Sequence, residues 1–134
     1  MPLLVDTDGF AKLGVAGLLK PLFEFLGVDL PECRRLPALP HMLRRGSLPR
    51  RYGQPACDAL IATAEAMEVA PSASTEWVDR LVGVPQVDPG EAQLYACAAE
   101  SSHMLVTGDK RALVPVAGVP GFAEALAGRV ITLE

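Results

Sequence analysis

The sequence has few of the residues that build redox, zinc or stacking sites. Its three cysteines are odd in number and form no CxxC pair, which excludes a disulfide scaffold and argues against structural zinc. The two histidines, His41 and His103, make no convincing catalytic triad with a serine. Aromatic residues are only 5% and scattered, so they form no platform for nucleic-acid bases. Neither glycine-rich phosphate-binding motif, GxxxxGK[ST] or GxGxxG after a strand, occurs.

Long apolar runs are also missing. The longest apolar stretch, residues 13–30, is interrupted by Lys20 and Glu24, whereas a membrane-spanning helix needs about 20 consecutive apolar residues. The N-terminus lacks the basic segment of a signal peptide and carries acids at Asp6 and Asp8. These features predict a soluble, cytoplasmic protein with reduced thiols and no membrane partner.

The composition is that of one folded domain over residues 1–134. Half of the 134 residues are hydrophobic and 21% are charged, which excludes a disordered chain. The net charge is −4, yet residues 34–51 hold six arginines and no acid, so this segment is +6 and the remainder is −10. Such a segment either attracts a polyanion or forms a solvated surface, and its pattern alone leaves both interpretations open.

Short apolar runs alternate with helical patterns along the chain. This alternation predicts an α/β protein, a three-layer α/β/α sandwich with a mainly parallel central sheet. Residues 46–52 are predicted to be a loop, and Pro21 is predicted to split a helix over residues 10–26. The predicted strands are 1–5, 33–36, 104–107 and 129–133; the other predicted helices are 37–45, 55–69, 72–81, 89–100, 110–114 and 120–126.

Acidic residues follow two of the predicted strands. Asp6 comes directly after the first strand and Asp109 follows the strand that ends at Thr107, so both are expected at the carboxyl edge of the sheet. Glu91 lies in the first turn of a helix for which Asp88 is the predicted cap. Converging carboxylates need a cation, and oxygen ligands favour Mg²⁺ or Mn²⁺, which activates water for phosphate hydrolysis. Each acid alone also fits a turn or a helix cap.

Three motifs together resemble those of PIN-domain nucleases. They are Leu3-Leu-Val-Asp-Thr-Asp8, Gly90-Glu-Ala-Gln-Leu-Tyr-Ala-Cys-Ala98 and Met104-Leu-Val-Thr-Gly-Asp109. The resemblance implies a metal-dependent endoribonuclease that hydrolyses single-stranded RNA. It implies Asp6, Glu91 and Asp109 as the catalytic ligands of Mg²⁺ or Mn²⁺, with Asp8 and Thr107 as orienting residues. It also implies candidate protein partners, an antitoxin-like protein and a second copy of the chain.

Other interpretations remain open. The family usually carries a further acid on the helix after the second strand, but residues 38–45 contain none, so a non-catalytic module that binds RNA or protein is the alternative. Asp58 offers a second register for the helix-borne acid. Asp6-Thr-Asp-Gly9 also resembles the DxDG motif of haloacid-dehalogenase-type phosphatases, in which the first acid is a nucleophile.

The basic segment completes the predicted site. If the protein binds RNA, its arginines are suited to the backbone, because a guanidinium group binds two phosphate oxygens at once. The candidates for this role are Arg44, Arg45, Arg50 and Arg51.

Overall fold

A computed structural model describes residues 2–108 and 110–133, and only the backbone of residues 110 and 112. The described elements alternate as predicted and form an α/β fold. The strands are β1 (Leu3–Val5), β2 (Cys33–Arg35), β3 (Glu68–Val69), β4 (Met104–Thr107) and β5 (Val130–Thr132). The helices are α1 (Thr7–Val15), α2 (Leu19–Leu26), α3 (Leu39–Arg44), α4 (Ser47–Tyr52), α5 (Gln54–Ala66), α6 (Thr75–Val82), α7 (Pro89–Glu100), α8 (Lys110–Ala117) and α9 (Phe122–Leu126).

The five strands form one parallel sheet in the order β3-β2-β1-β4-β5. In the central pair, Leu3 lies opposite Met104 and Val5 lies opposite Val106, so the first strand and the strand that ends at Thr107 lie side by side. The chain leaves β1 towards β2 on one side and leaves β4 towards β5 on the other. The sheet therefore has its topological switch point between β1 and β4, where parallel sheets open a crevice at their carboxyl edge.

Alternating side chains of the central strands pack into two apolar layers. Leu3 and Val5 face the layer covered by α1 to α5, whereas Leu4 and Leu105 face the layer that contains α6 to α9. This arrangement is the predicted three-layer sandwich, because a sheet buried on both faces needs helices on each side. The cysteines Cys33, Cys57 and Cys97 are free and buried within these layers.

Three local predictions were wrong. Residues 47–52 form α4 instead of a loop, with Leu48 buried in the core. The predicted helix over residues 55–69 ends at Ala66, and Glu68–Val69 pair with β2 as an edge strand. The break between α1 and α2 precedes Pro21: Gly17 has a φ of 72°, and Pro21 lies in the first turn of α2, where proline is tolerated.

None of the described helices is both long enough and apolar enough to cross a bilayer.

The two arginines of β2 have structural partners. Arg35 is only 8% exposed, and its Nε donates to the carbonyl of Ala64, in the last turn of α5, at 2.5 Å. Its Nη1 donates to the carbonyls of Leu36 and Pro37 at 3.1 and 3.4 Å. A cation at the carboxyl end of a helix is favourable because it opposes the helix dipole. Arg35 thus fixes the end of α5 against the segment that follows β2.

We expect Arg35→Met to lower the free energy of unfolding by about 2 to 3 kcal/mol, because it leaves buried carbonyl groups without a charged donor. The matched control is Arg34→Met. Arg34 forms an ion pair of 3.3 Å with the exposed Glu68, and such pairs contribute at most about 1 kcal/mol. Urea denaturation of both variants measures the difference. Equal losses would show that Arg35 has no special structural role.

Candidate functional site

Asp6 is a buried carboxylate at the carboxyl end of the central strand β1. It is 1% exposed, its backbone is extended, and its side chain caps α1. Oδ1 accepts hydrogen bonds from the backbone N–H of Gly9 at 2.5 Å and of Gly108 at 3.1 Å. Oδ2 accepts from the Thr107 hydroxyl at 2.5 Å. Because a carboxylate has about four acceptor positions, these three donors leave one on Oδ2 for a ligand.

Two glycines allow the donors to reach Asp6. A Cβ atom on Gly108 would lie 2.7 Å from the backbone N of Gly9 and 2.9 Å from the carbonyl C of Asp8. A Cβ atom on Gly9 would lie 2.7 Å from Asp6 Oδ1. The turn after β1 and the turn after β4 therefore touch backbone to backbone. Both turns then present an N–H group to the same carboxylate oxygen.

Burial and hydrogen bonding act on Asp6 in opposite directions. Burial removes water from the carboxylate and raises its pKa above the ordinary 3.8, and the neighbouring charge of Asp8 raises it further. The hydrogen bonds from Thr107, Gly9 and Gly108 lower the pKa but do not cancel the effect of burial. The net effect is a carboxyl group that holds its proton more tightly in the folded chain than in the unfolded chain.

Helix α7 presents Glu91 and Tyr95 on one face. Asp88 caps this helix by accepting from the backbone N–H of Glu91 at 2.7 Å, as predicted. The Tyr95 hydroxyl lies 3.5 Å from Thr107 Oγ1, which in turn donates to Asp6. Residues four apart share a helix face, so the Glu91 face of α7 is turned towards the Asp6 end of the sheet.

A cavity of about 500 Å³ opens at the same edge of the sheet. Thr7, next to Asp6, and Glu91 both line it. The remaining walls come mainly from the segments that follow β2 and β3 and from the first turns of α3 and α7. The structure therefore places Glu91 in the wall of a cavity that Thr7, the chain neighbour of Asp6, also lines.

The carboxylate of Asp8 forms ion pairs with two cations. Its Oδ2 lies 3.1 Å from Lys12 Nζ and its Oδ1 lies 3.6 Å from Arg51 Nη1. Lys12 also donates to the carbonyl of Gly108 at 2.7 Å, so it links α1 to the turn after β4. Asp8 thus connects the predicted basic segment to the carboxyl edge of the sheet.

The four candidate RNA-binding arginines differ in their partners. Arg44 pairs with Glu65 at 2.5 Å. Arg50 Nε donates to the carbonyl of Gly46 at 3.2 Å. Arg45 is exposed and makes no ion pair with the described residues. Among the predicted acids that the structure describes, Asp8 is contacted by Arg51 alone of this set, and the Arg51 guanidinium also lies 5.3 Å from the ring centre of Tyr52.

Two of the three predicted metal ligands, Asp6 and Glu91, are among the described residues. Asp109 lies outside the described residues, and within 2–108 and 110–133 no three His, Cys, Asp or Glu side chains form a group that could hold a metal ion. The donor chemistry of Asp6 and Glu91 fits Mg²⁺ or Mn²⁺, because both are oxygen donors and Asp6 keeps one acceptor position. The alternative acid, Asp58, is exposed on α5 and accepts a hydrogen bond from Gln54 at 2.7 Å.

The sequence analysis missed four residues of this site: Gly9, Lys12, Tyr95 and Gly108. Tyr95 follows Glu91 by four positions on a predicted helix, which is a signal that both share one face. The two glycines directly follow residues proposed for the site, Asp8 and Thr107, and glycine there indicates a close backbone approach. Lys12 has only its position four residues after Asp8 as a signal.

We expect Gly108→Ala to lower the free energy of unfolding by about 2 kcal/mol, because the new Cβ meets backbone atoms that cannot rotate away. Gly83→Ala is the control, since a Cβ there has open space and Gly83 has an ordinary φ of −83°. Urea denaturation compares the two. A neutral Gly108→Ala would mean that the two turns are not held in contact.

We expect the folded protein to lose stability as pH rises from 3.8 through the raised pKa of Asp6. Over this range the unfolded chain releases the Asp6 proton, whereas the folded chain retains it until a higher pH. Asp6→Asn removes this contribution and is expected to be more stable than the wild type at neutral pH. Chemical denaturation in EDTA from about pH 4 to about pH 7 measures both slopes. Parallel pH profiles for the two proteins would refute the assignment to Asp6.

Comparisons with known proteins identify no family for the chain. No protein-family model matches it, and neither the curated proteins nor the solved structures contain a match.

Proposed function

We propose that the protein is a metal-dependent endoribonuclease that hydrolyses phosphodiester bonds in single-stranded RNA. The observation that carries this proposal is the carboxylate of Asp6, buried at the switch point of a parallel sheet and oriented by three hydrogen bonds. Burying a carboxylate costs stability, so a site that fixes one beside a crevice is a functional candidate. RNA as the substrate is supported by the PIN-like motifs and by the basic segment.

The acids would hold the cation. Asp6 and Glu91 are the described candidates, and Asp109 is the third ligand that the motifs predict. A bound Mg²⁺ or Mn²⁺ would activate a water molecule and stabilise negative charge on the phosphate.

The chain's own residues orient the site. Thr107 fixes Oδ2 of Asp6, and Tyr95 lies against the same hydroxyl, so the carboxylate cannot rotate without breaking contacts on both oxygens. Arg51 forms an ion pair with Asp8, and its guanidinium would bind a phosphate of the RNA. Arg44, Arg45 and Arg50 would extend this contact along the RNA backbone.

The protein partners remain part of this proposal. An antitoxin-like protein and a second copy of the chain follow from the resemblance to PIN-domain toxins, as does action in the cytoplasm. The non-catalytic alternative, a module that binds RNA or protein, shares the fold and the basic segment. It differs in a measurable way, because it predicts RNA binding without metal-dependent cleavage.

We expect Mn²⁺ to raise the melting temperature of the wild type, because the cation binds the folded state and relieves repulsion among its carboxylates. Asp6→Asn and Glu91→Gln should lose most of this increase. Asp79→Asn is the control, since Asp79 is an exposed acid on α6. The same four proteins are assayed for cleavage of single-stranded RNA with Mg²⁺ or Mn²⁺. Cleavage retained at wild-type rates by Asp6→Asn would contradict the proposed site, and RNA binding without cleavage by the wild type would favour the module.

We expect the double variant Arg45→Ala, Arg51→Ala to weaken RNA binding and to flatten its salt dependence. Each lost phosphate contact lowers the slope of log affinity against log salt by about 0.7 for a single strand, so the pair lowers it by about 1.4. The control is Arg80→Ala, since Arg80 pairs with Glu76 on α6, in the opposite helical layer. Titrations of uncleavable RNA at several salt concentrations give the slopes. A slope equal to that of the wild type would assign both arginines to a solvated surface.

A further inference from the structure

The cavity at the carboxyl edge of the sheet has the size and wall chemistry of a small-molecule pocket. Its volume of about 500 Å³ lies within the range of roughly 300 to 1,000 Å³ that ligand pockets occupy. Leu36, Ala38, Met42 and Ala70 contribute apolar walls. Pockets of this kind are lined mainly by apolar side chains and fix the orientation of a ligand with a few polar atoms.

The polar groups of the cavity argue against an anion inside it. Asp88 and Glu91 both line the wall, and their carboxylates would repel a phosphate. The N-terminus of α7 also lies there, but the Asp88 side chain already accepts the N–H of Glu91 at 2.7 Å. This helix end is therefore occupied by its own cap. The hydroxyl of Ser72 and the amide of Gln93 are neutral groups that can exchange hydrogen bonds with a polar, uncharged ligand.

Cations occur on or in contact with the segments that line the cavity. Thr7 lines the wall, and its neighbour Asp8 forms the ion pair with Arg51. On α3, Met42 lines the wall and Arg45 follows it by three residues at the end of the helix. A phosphate attached to an uncharged planar group in the cavity would therefore have Arg45 and Arg51 as candidate cationic partners outside it. This separation of apolar pocket and cationic border matches a nucleotide, which carries a base at one end and a phosphate at the other.

We propose that this cavity binds a nucleobase of the RNA next to the phosphodiester that is cleaved. The inference rests on the proposed endoribonuclease function and adds a base-binding subsite to it. Ser72 and Gln93 would contact the edge of the base, and the apolar wall with Met42 would contact its face.

The test uses the four methionines as internal probes. The methyl groups are labelled with ¹³C, and the metal-free protein in EDTA is titrated with each nucleoside 5′-monophosphate. Ribose 5-phosphate, which lacks a base, is the matched control ligand. We expect the Met42 methyl resonance to shift with the nucleotides and not with ribose 5-phosphate. Met67, after α5, and Met104, at the start of β4, do not line the cavity and should not shift.

A filled-pocket variant checks the location. Ala38 lines the cavity and is exposed, so Ala38→Phe occupies the space without entering the core. Ala62 is an exposed alanine on α5 that does not line the cavity, so Ala62→Phe is its control. We expect Ala38→Phe to lose most of the nucleotide-induced shift and Ala62→Phe to retain it, with melting curves confirming that both fold.

The outcomes separate this inference from the proposed function. If the wild type cleaves RNA but Met42 responds to no nucleotide, or responds equally to ribose 5-phosphate, the base-binding pocket is refuted. The pocket is also refuted if Met42 responds to phenol or indole and to no nucleotide, because the cavity then fits an apolar side chain of a protein. If Met42 responds to nucleotides but no metal supports cleavage, the pocket is retained and the nuclease function fails.

Discussion

The hydrogen bonds to the buried Asp6 carboxylate are the interaction on which this edge of the molecule depends. They join the end of β1 and the adjoining first turn of α1 to the end of β4, which lies about a hundred residues further along the chain. Because both N–H donors bind Oδ1, the two turns must approach until their backbones touch, and only glycine allows that approach. The carboxylate therefore acts as a structural centre before it has any chemical role.

Burying the Asp6 carboxylate costs folding free energy, and this cost indicates a functional role for the residue. Burial raises the pKa of Asp6 although three donors oppose the effect, so ionisation at neutral pH works against folding. A neutral side chain of the same shape would satisfy the geometry more cheaply. Stabilisation instead comes from the two apolar layers that enclose β1 and β4, where Leu4, Leu105 and Val106 are completely buried. A stable core that supports an energetically unfavourable polar edge is typical of functional sites, where activity and stability compete.

The central fold was predictable because its signals are local. The apolar runs of β1 and β4 and the Asp88 cap of α7 each lie within a few residues. The edge strand β3 was missed because it has two residues, both exposed, and therefore no pattern. Helix α4 was missed because its stability comes from the burial of Leu48, a tertiary contact that overrides a weak local signal. Local strand signals likewise predicted Asp6 and Asp109 at one edge of the sheet. The contact of Tyr95 with Thr107 is tertiary and became visible only in three dimensions.

The net charge of the basic segment overstates the number of arginines that are available to bind a phosphate. The segment 34–51 carries +6, but Arg35 is used to fix the end of α5, and Arg34 and Arg44 are paired with Glu68 and Glu65. A phosphate that approached Arg44 would have to displace Glu65, and one that approached Arg51 would compete with Asp8. Competition at Arg51 has a further consequence, because releasing Asp8 from Arg51 leaves Lys12 as its remaining ion-pair partner and so increases the net negative charge near Asp6. Binding of a phosphate at Arg51 would then strengthen the need for a cation at the acids, so the basic segment and the carboxylates are electrostatically coupled through Asp8.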